Sequence, residues 1–335
     1  MNHALRAVAA FFLTAAGASA QSRPVAPIID MHLHAHAPVE FLQHRLGAPD
    51  ECALPTVLPP LDVSRMAPAD LATAYFKARL AYCTRILRGA HTEQDLIQRT
   101  RAILDRRNIT AVTSSGFENV QRWRQASPRI IPGLDEEDPT SLDLAVLRQR
   151  ILAKDVQVIG EVGAQYVGLT PSSARLEPLF ALAEELDVPV GIHVGLSAPG
   201  IPIVTLQSFR AGATRPLDLE PVLLKHPKLR LYVMHAGWPM GDEMLHLLWS
   251  FPQVYVDVAV LDWILPQREF HAYLRRLVEA GFGQRIMFGS DQMIWPDAID
   301  AAIDNIEAAS FLSAAQKRDI FYNNAARFLR LPKAK

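Results

Sequence analysis

Two histidines, one residue apart, end an apolar run: Ile28-Ile29-Asp30-Met31-His32-Leu33-His34. In an extended strand side chains alternate between faces, so His32 and His34 point the same way. Two imidazoles side by side at a strand end make half of a metal site. Metal-capable residues recur at the ends of later apolar runs. Glu161 closes Val158-Ile159-Gly160-Glu161, His193 closes Val190-Gly191-Ile192-His193, and His235 closes Tyr232-Val233-Met234-His235. Asp291 follows Phe288-Gly289-Ser290. Taken singly, a histidine after an apolar run is more often a hydrogen-bonded core residue. Six such side chains at matching places point to one shared centre, because imidazole nitrogen and carboxylate oxygen are donors that hold a divalent metal. By period two Asp30 shares the face of the histidines. It is either a partner to a ligand imidazole or a hydrogen-bonded structural carboxylate.

Elements of one repeating kind must carry these residues. From Ile109 the chain alternates short apolar runs with amphipathic stretches. Strands are expected at Ile109–Thr113, Arg129–Leu134, Val156–Glu161, Val188–Val194, Leu229–His235, Val254–Val258 and Arg285–Ser290. Helices are expected between them, the clearest at Ser173–Leu186, where Leu176, Leu179, Phe180, Ala183 and Leu186 share a face. With the first run this makes eight strands, each apolar on both faces as buried parallel strands must be. The pattern is that of a (β/α)8 TIM barrel, whose active site lies at the C-terminal strand ends. An open doubly wound sheet is the alternative, but no GxGxxG turn or P-loop is present.

A long helical insertion is expected after the first strand, over about 35–88. It begins with a proline-rich irregular region, Ala35 to about Ala67. Helices are expected at Pro68–Leu87 and, leading back to the barrel, at Thr92–Arg107 with Thr92 as N-cap. A connection of this length usually forms a pocket wall. Cys52 and Cys83, the only cysteines of the chain, fall here. They are either a disulfide or two separate thiols; neither has a Cys or His near it at ligand spacing.

The chain has 335 residues, 50% of them hydrophobic, and a formal net charge of −1. Such a balance gives no electrostatic footprint for nucleic acid and no polybasic membrane patch. A small-molecule substrate is expected, with no nucleic-acid or membrane partner; a homo-oligomer is compatible with the pattern. Residues 1–20 read as a signal peptide: a short basic start, an apolar run over Ala7–Ala16, and Ala18-Ser19-Ala20 as cleavage site before Gln21. The mature chain, 21–335, is then expected to be a single domain, periplasmic or secreted.

The order HxH, Glu, His, His, Asp resembles the amidohydrolase superfamily. More narrowly it resembles the amidohydrolase-related branch of metal-dependent hydrolases and aminocarboxymuconate-semialdehyde-type decarboxylases. The segments that carry the resemblance are Ile29–His34, Gly160-Glu161-Val162-Gly163, Gly191-Ile192-His193, Met234-His235-Ala236-Gly237, Phe288-Gly289-Ser290-Asp291 and Tyr322–Arg327. The resemblance implies that His32, His34, His193 and Asp291 bind metal. It implies Asp291 as general base, with His235 orienting water or substrate oxygen, or binding a second metal. One or two ions are implied, zinc first, with manganese or iron as alternatives. Mononuclear decarboxylases of the branch lack a ligand at the position of Glu161. A glutamate there favours a hydrolytic centre, with Glu161 bridging two metals or supporting a histidine. The expected activity is therefore hydrolysis of an amide, lactone or ester by metal-activated water. Non-oxidative decarboxylation of an aromatic or enol acid is the alternative, and a non-catalytic metal-binding barrel the third reading. Trp238, Arg210 and Arg215 are weaker candidates for the pocket wall.

Overall fold

The computed structural model describes residues 25–39, 50–67, 70–136, 138–197 and 208–332. The expected signal peptide lies outside them, as do parts of the insertion and of the loop after His193. In chain order the strands are β1 (Ile28–His34), β2 (Asp50–Pro55), β3 (Cys83–Arg88), β4 (Ile109–Ser114), β5 (Ile130–Leu134), β6 (Val158–Val162), β7 (Val190–His193), β8 (Leu231–Met234), β9 (Tyr255–Asp257) and β10 (Ile286–Met287). Eight of them form one sheet in the order β1-β4-β5-β6-β7-β8-β9-β10, and every pairing is parallel. Backbone bonds from Met31 N to Phe288 O (2.9 Å) and from Asp291 N to His32 O (2.6 Å) join β1 to the segment after β10. The expected eight-stranded TIM barrel is thus the observed frame, with strands shorter than the apolar runs suggest.

The helices cover the barrel with one apolar stripe each. Gln267–Leu277 buries Phe270, Tyr273, Leu274 and Leu277, while Arg275 and Arg276 stand in its last turn. Glu93–Arg107 starts where Thr92 accepts a bond from Asp95 N, and it buries Leu96, Ile103 and Leu104. At the other end of the barrel, Ala325 and Phe328 of the last helix join Ile29, Met31, Val158, Tyr232 and Met287 in an interior cluster.

The insertion differs from expectation. The helix ends at Leu80, not Leu87, and Cys83–Arg88 is a strand paired antiparallel with β2 inside the region expected to be irregular. Leu80, Cys83, Ile86 and Leu87 keep a helical spacing, but in the strand exposure alternates residue by residue and Ile86 points outward, 45% exposed. Long-range pairing decides between the two. Cys52 and Cys83 form a disulfide across this pair, with Cα atoms 5.4 Å apart. Beside it Arg79 meets Glu51 at 2.9 Å, both buried, and Arg79 Nη2 donates to Cys52 O and to Ile264 O. The last of these contacts docks the insertion on the barrel.

Candidate metal centre

The strand ends bring all six expected residues together. His32 and His34 belong to β1, Glu161 to β6, and His193 ends β7; His235 directly follows β8, and Asp291 lies beyond β10. His32 Nε2 and His34 Nε2 stand 3.1 Å apart, and Glu161 Oε2 lies 3.3 and 3.4 Å from them. Asp291 Oδ1 is 3.2 Å from His34 Nε2 and 4.0 Å from His32 Nε2. The other oxygen of Glu161, Oε1, touches His193 Nδ1 and lies 3.9 Å from His235 Nε2. Two groups of potential ligand atoms share Glu161, one with His32 and His34 and one with His193 and His235; a third is formed by His32, His235 and Asp257. The resemblance grouped His193 with the first two histidines; the structure sets it beside His235.

The outward nitrogens show how the rings are aimed. His235 Nδ1 donates to Ala259 O (3.0 Å) and His193 Nε2 to Leu196 O (2.7 Å). A carbonyl can only accept, so these nitrogens carry the proton. His235 Nε2 and His193 Nδ1 are left as lone-pair donors facing the centre. His32 Nδ1 is held by Asp257 Oδ2 at 3.2 Å. The same carboxylate accepts through Oδ1 from His235 N (2.8 Å) and Ala259 N (3.1 Å). Asp257 ends β9 and is wholly buried. The rule that found the other six, a metal-capable residue closing an apolar run, passes over it, because Val258-Ala259-Val260-Leu261 continue the run. Gln292, also not foreseen, accepts from His34 N and donates to His34 O.

Asp30 does not hold an imidazole. Its Oδ1 accepts from His32 N (2.9 Å) and Ser290 N (3.0 Å). The β1–β4 register shifts between Asp30 and Leu33. This bulge breaks the strict alternation on which the shared face was argued. Asp30 is the structural carboxylate of the two readings. Arg215 is taken up by Glu243 at 2.6 Å, Arg210 donates to Phe209 O, and Trp238 donates to Glu269. His235 (φ 56) and Asp291 (φ 47) both hold left-handed backbone. Side chains rarely adopt this without a surrounding structure that fixes it, and such strain gathers at functional sites.

The site fits a cation. Asp291 Oδ1 and His193 Nδ1 are buried without a hydrogen-bond partner of proper geometry. In the metal-free protein burial opposes charge on Glu161, yet the imidazoles of His193, His235 and His32 hold its carboxyl well below the usual range. Burial also works against a proton on His34, but the carboxylates of Asp291 and Glu161 push it up to about 9. Protons thus balance the carboxylates where a metal would otherwise do so, and metal binding would displace them.

The family model described as amidohydrolase matches residues 29–331. No curated protein sequence matches the chain. Among solved structures, a dihydroxybenzoic acid decarboxylase from Polaromonas sp. JS666, with bound manganese and 2-nitroresorcinol, is similar at 17% identity and a TM-score of 0.58, covering 92% of this chain and 98% of that one. A probable 2-pyrone-4,6-dicarboxylic acid hydrolase from Acinetobacter baumannii, with citric acid bound, is similar at 14% identity and a TM-score of 0.55, covering 91% of this chain and 100% of that one. An amidohydrolase from Burkholderia multivorans with bound zinc is similar at 16% identity and a TM-score of 0.55, covering 92% of this chain and 100% of that one.

Proposed function

This chain belongs to the amidohydrolase family, and we propose that it is a hydrolase that cleaves an amide, lactone or ester bond in a small molecule. The observation that carries this reading is Glu161, whose two oxygens face two separate imidazole pairs. A carboxylate so divided suits a centre of two ions, one held with His32, His34 and Asp291, the other with His193 and His235. Zinc is the first choice for this donor set, with manganese or iron as alternatives. The metal supplies two things: it lowers the pKa of water toward neutrality and polarises the substrate carbonyl.

The chain's own residues do the rest. Asp291, anionic and aimed at the centre, takes the proton of the attacking water as general base. His235, its tautomer fixed by Ala259 O, presents Nε2 to orient that water or the carbonyl oxygen. Asp257 keeps His32 turned so that Nε2 faces inward. The second reading, decarboxylation, is the activity named for one similar structure, as hydrolysis is for another. Product analysis on the metal-loaded protein separates them. A new carboxylate with incorporation of solvent oxygen is expected; release of CO₂ without it would replace hydrolysis by the second reading. We further propose that the protein acts outside the cytoplasm as a single mature domain. The Cys52–Cys83 disulfide supports this, since such bonds persist in oxidising compartments.

A further inference from the structure

The mouth of the barrel carries more acid than base. Outside the insertion, the loops that follow the strands hold three arginines, Arg175, Arg210 and Arg215, and no lysine. Arg175 is turned to Thr140 and Asp138, Arg215 to Glu243, and Arg210 donates to its neighbour Phe209 O. By contrast the loop after β5 runs Asp135-Glu136-Glu137-Asp138. Asp135 directly follows β5, and its Oδ2 lies 4.0 Å from His34 Nδ1 with the side chain 22% exposed. It therefore stands where the buried centre opens outward. Among the described residues, the ion-pair partners of Glu161, Asp291 and Asp135 are imidazoles, with no lysine or arginine among them.

Charge at the centre then has a simple consequence. One divalent ion is already matched by Glu161 and Asp291. Two ions are matched once Asp257 and Asp135 are included; burial and the Glu161 charge raise the Asp135 carboxyl to about 7 in the metal-free protein, and a cation bound beside it would favour its charged form. In neither case is positive charge left over at the centre, and among the described residues no guanidinium pairs with its carboxylates. An anionic group on the substrate would lie close to Asp135 without a counterion.

Resting on the metal-centre reading above, we propose that this site takes a substrate that carries no carboxylate, uncharged or cationic. Asp135 is the residue that enforces the choice. It repels an anionic group at the pocket mouth and accepts a hydrogen bond from an N–H or O–H of the correct substrate.

The test uses the metal-loaded full chain and two matched esters, 4-(acetoxymethyl)benzamide and 4-(acetoxymethyl)benzoate. The reacting bond is the same in both and only the remote charge differs. Wild type is expected to favour the amide by about tenfold or more in kcat/KM, the effect of an unscreened like charge several ångströms away. Asp135→Asn should shrink that ratio by about tenfold, and Asp135→Glu, which keeps the charge, should retain it. If neither ester is hydrolysed, the hydrolase reading is decided by the product analysis above, not by this pair. The charge inference is then read from the dissociation constants of the two parent benzyl alcohols, with the same ratio and the same variants. A wild-type preference for the carboxylate, no preference, or a ratio that Asp135→Asn leaves unchanged would overturn the proposal.

Discussion

The strand ends and the insertion both place charged side chains in buried surroundings, but they do so by opposite means. At the strand ends, imidazoles and carboxylates from β1, β6, β7 and the turns after β8 and β10 are gathered with polar atoms still unpaired. In the insertion, Arg79 and Glu51 satisfy each other at 2.9 Å, with backbone carbonyls taking further donors, and a disulfide closes the same pair of strands. One arrangement gathers several ligand atoms around a shared point; the other answers charge with charge, with Arg79 Nε left as its unpaired atom. A buried charge pair answered by its partner contributes structure, whereas a buried cluster left open contributes chemistry.

The contrast can be broken most sharply at Asp291. Asp291→Asn keeps an oxygen able to ligate but cannot accept a proton near neutral pH. At verified full metal occupancy kcat should fall about 10²–10⁴-fold while the melting temperature stays close to wild type. Full recovery on adding excess zinc would reduce Asp291 to a ligand only. The opposite pattern is expected in the insertion: Arg79→Met strands the Glu51 carboxylate, and stability should drop by about 3–5 kcal/mol in denaturant unfolding. A loss under about 1 kcal/mol would mean that Glu51 finds water there. Replacing Cys52 and Cys83 together by serine should cost about 2–4 kcal/mol while metal stoichiometry holds, because the closed loop lies away from the ligands. A change in metal content would show the two regions to be one unit.

The smallest effect sharpens the comparison instead of breaking it. Asp257→Asn keeps the bonds to the His235 and Ala259 amides but weakens the hold on His32 Nδ1. Metal affinity, read by competition with a coloured chelator, should fall about 10–100-fold with stoichiometry unchanged at saturation. Wild-type affinity in this variant would remove Asp257 from the metal's support.

The same contrast explains what the sequence disclosed. The barrel was legible because eight apolar runs recur at similar intervals, so each strand supports the reading of the next. The site was legible because a charged residue at the end of such a run is conspicuous. Asp257 escaped that rule because it falls inside the expected strand Val254–Val258 with apolar residues on both sides, whereas the strand itself ends at Asp257. Asp30 misled because a one-residue bulge, invisible in the sequence, undoes the period-two argument. Cys83–Arg88 misled because Cys83, Ile86 and Leu87 keep a helical spacing, and the deciding contact, β2, lies some thirty positions earlier.

The interior cluster at the foot of the barrel has a consequence for traffic. Phe328 packs against Tyr232 and Tyr255 with ring centres 5.5 and 4.9 Å away, and Ala325 sits beside it. The barrel is packed shut at that end, so the ligand-bearing chamber opens toward the C-terminal strand ends. Whatever enters as reactant and whatever departs afterwards must pass the same threshold in turn, past Asp135. A spent molecule that lingers there would hold off the next arrival, so initial rates are expected to fall when product is added beforehand.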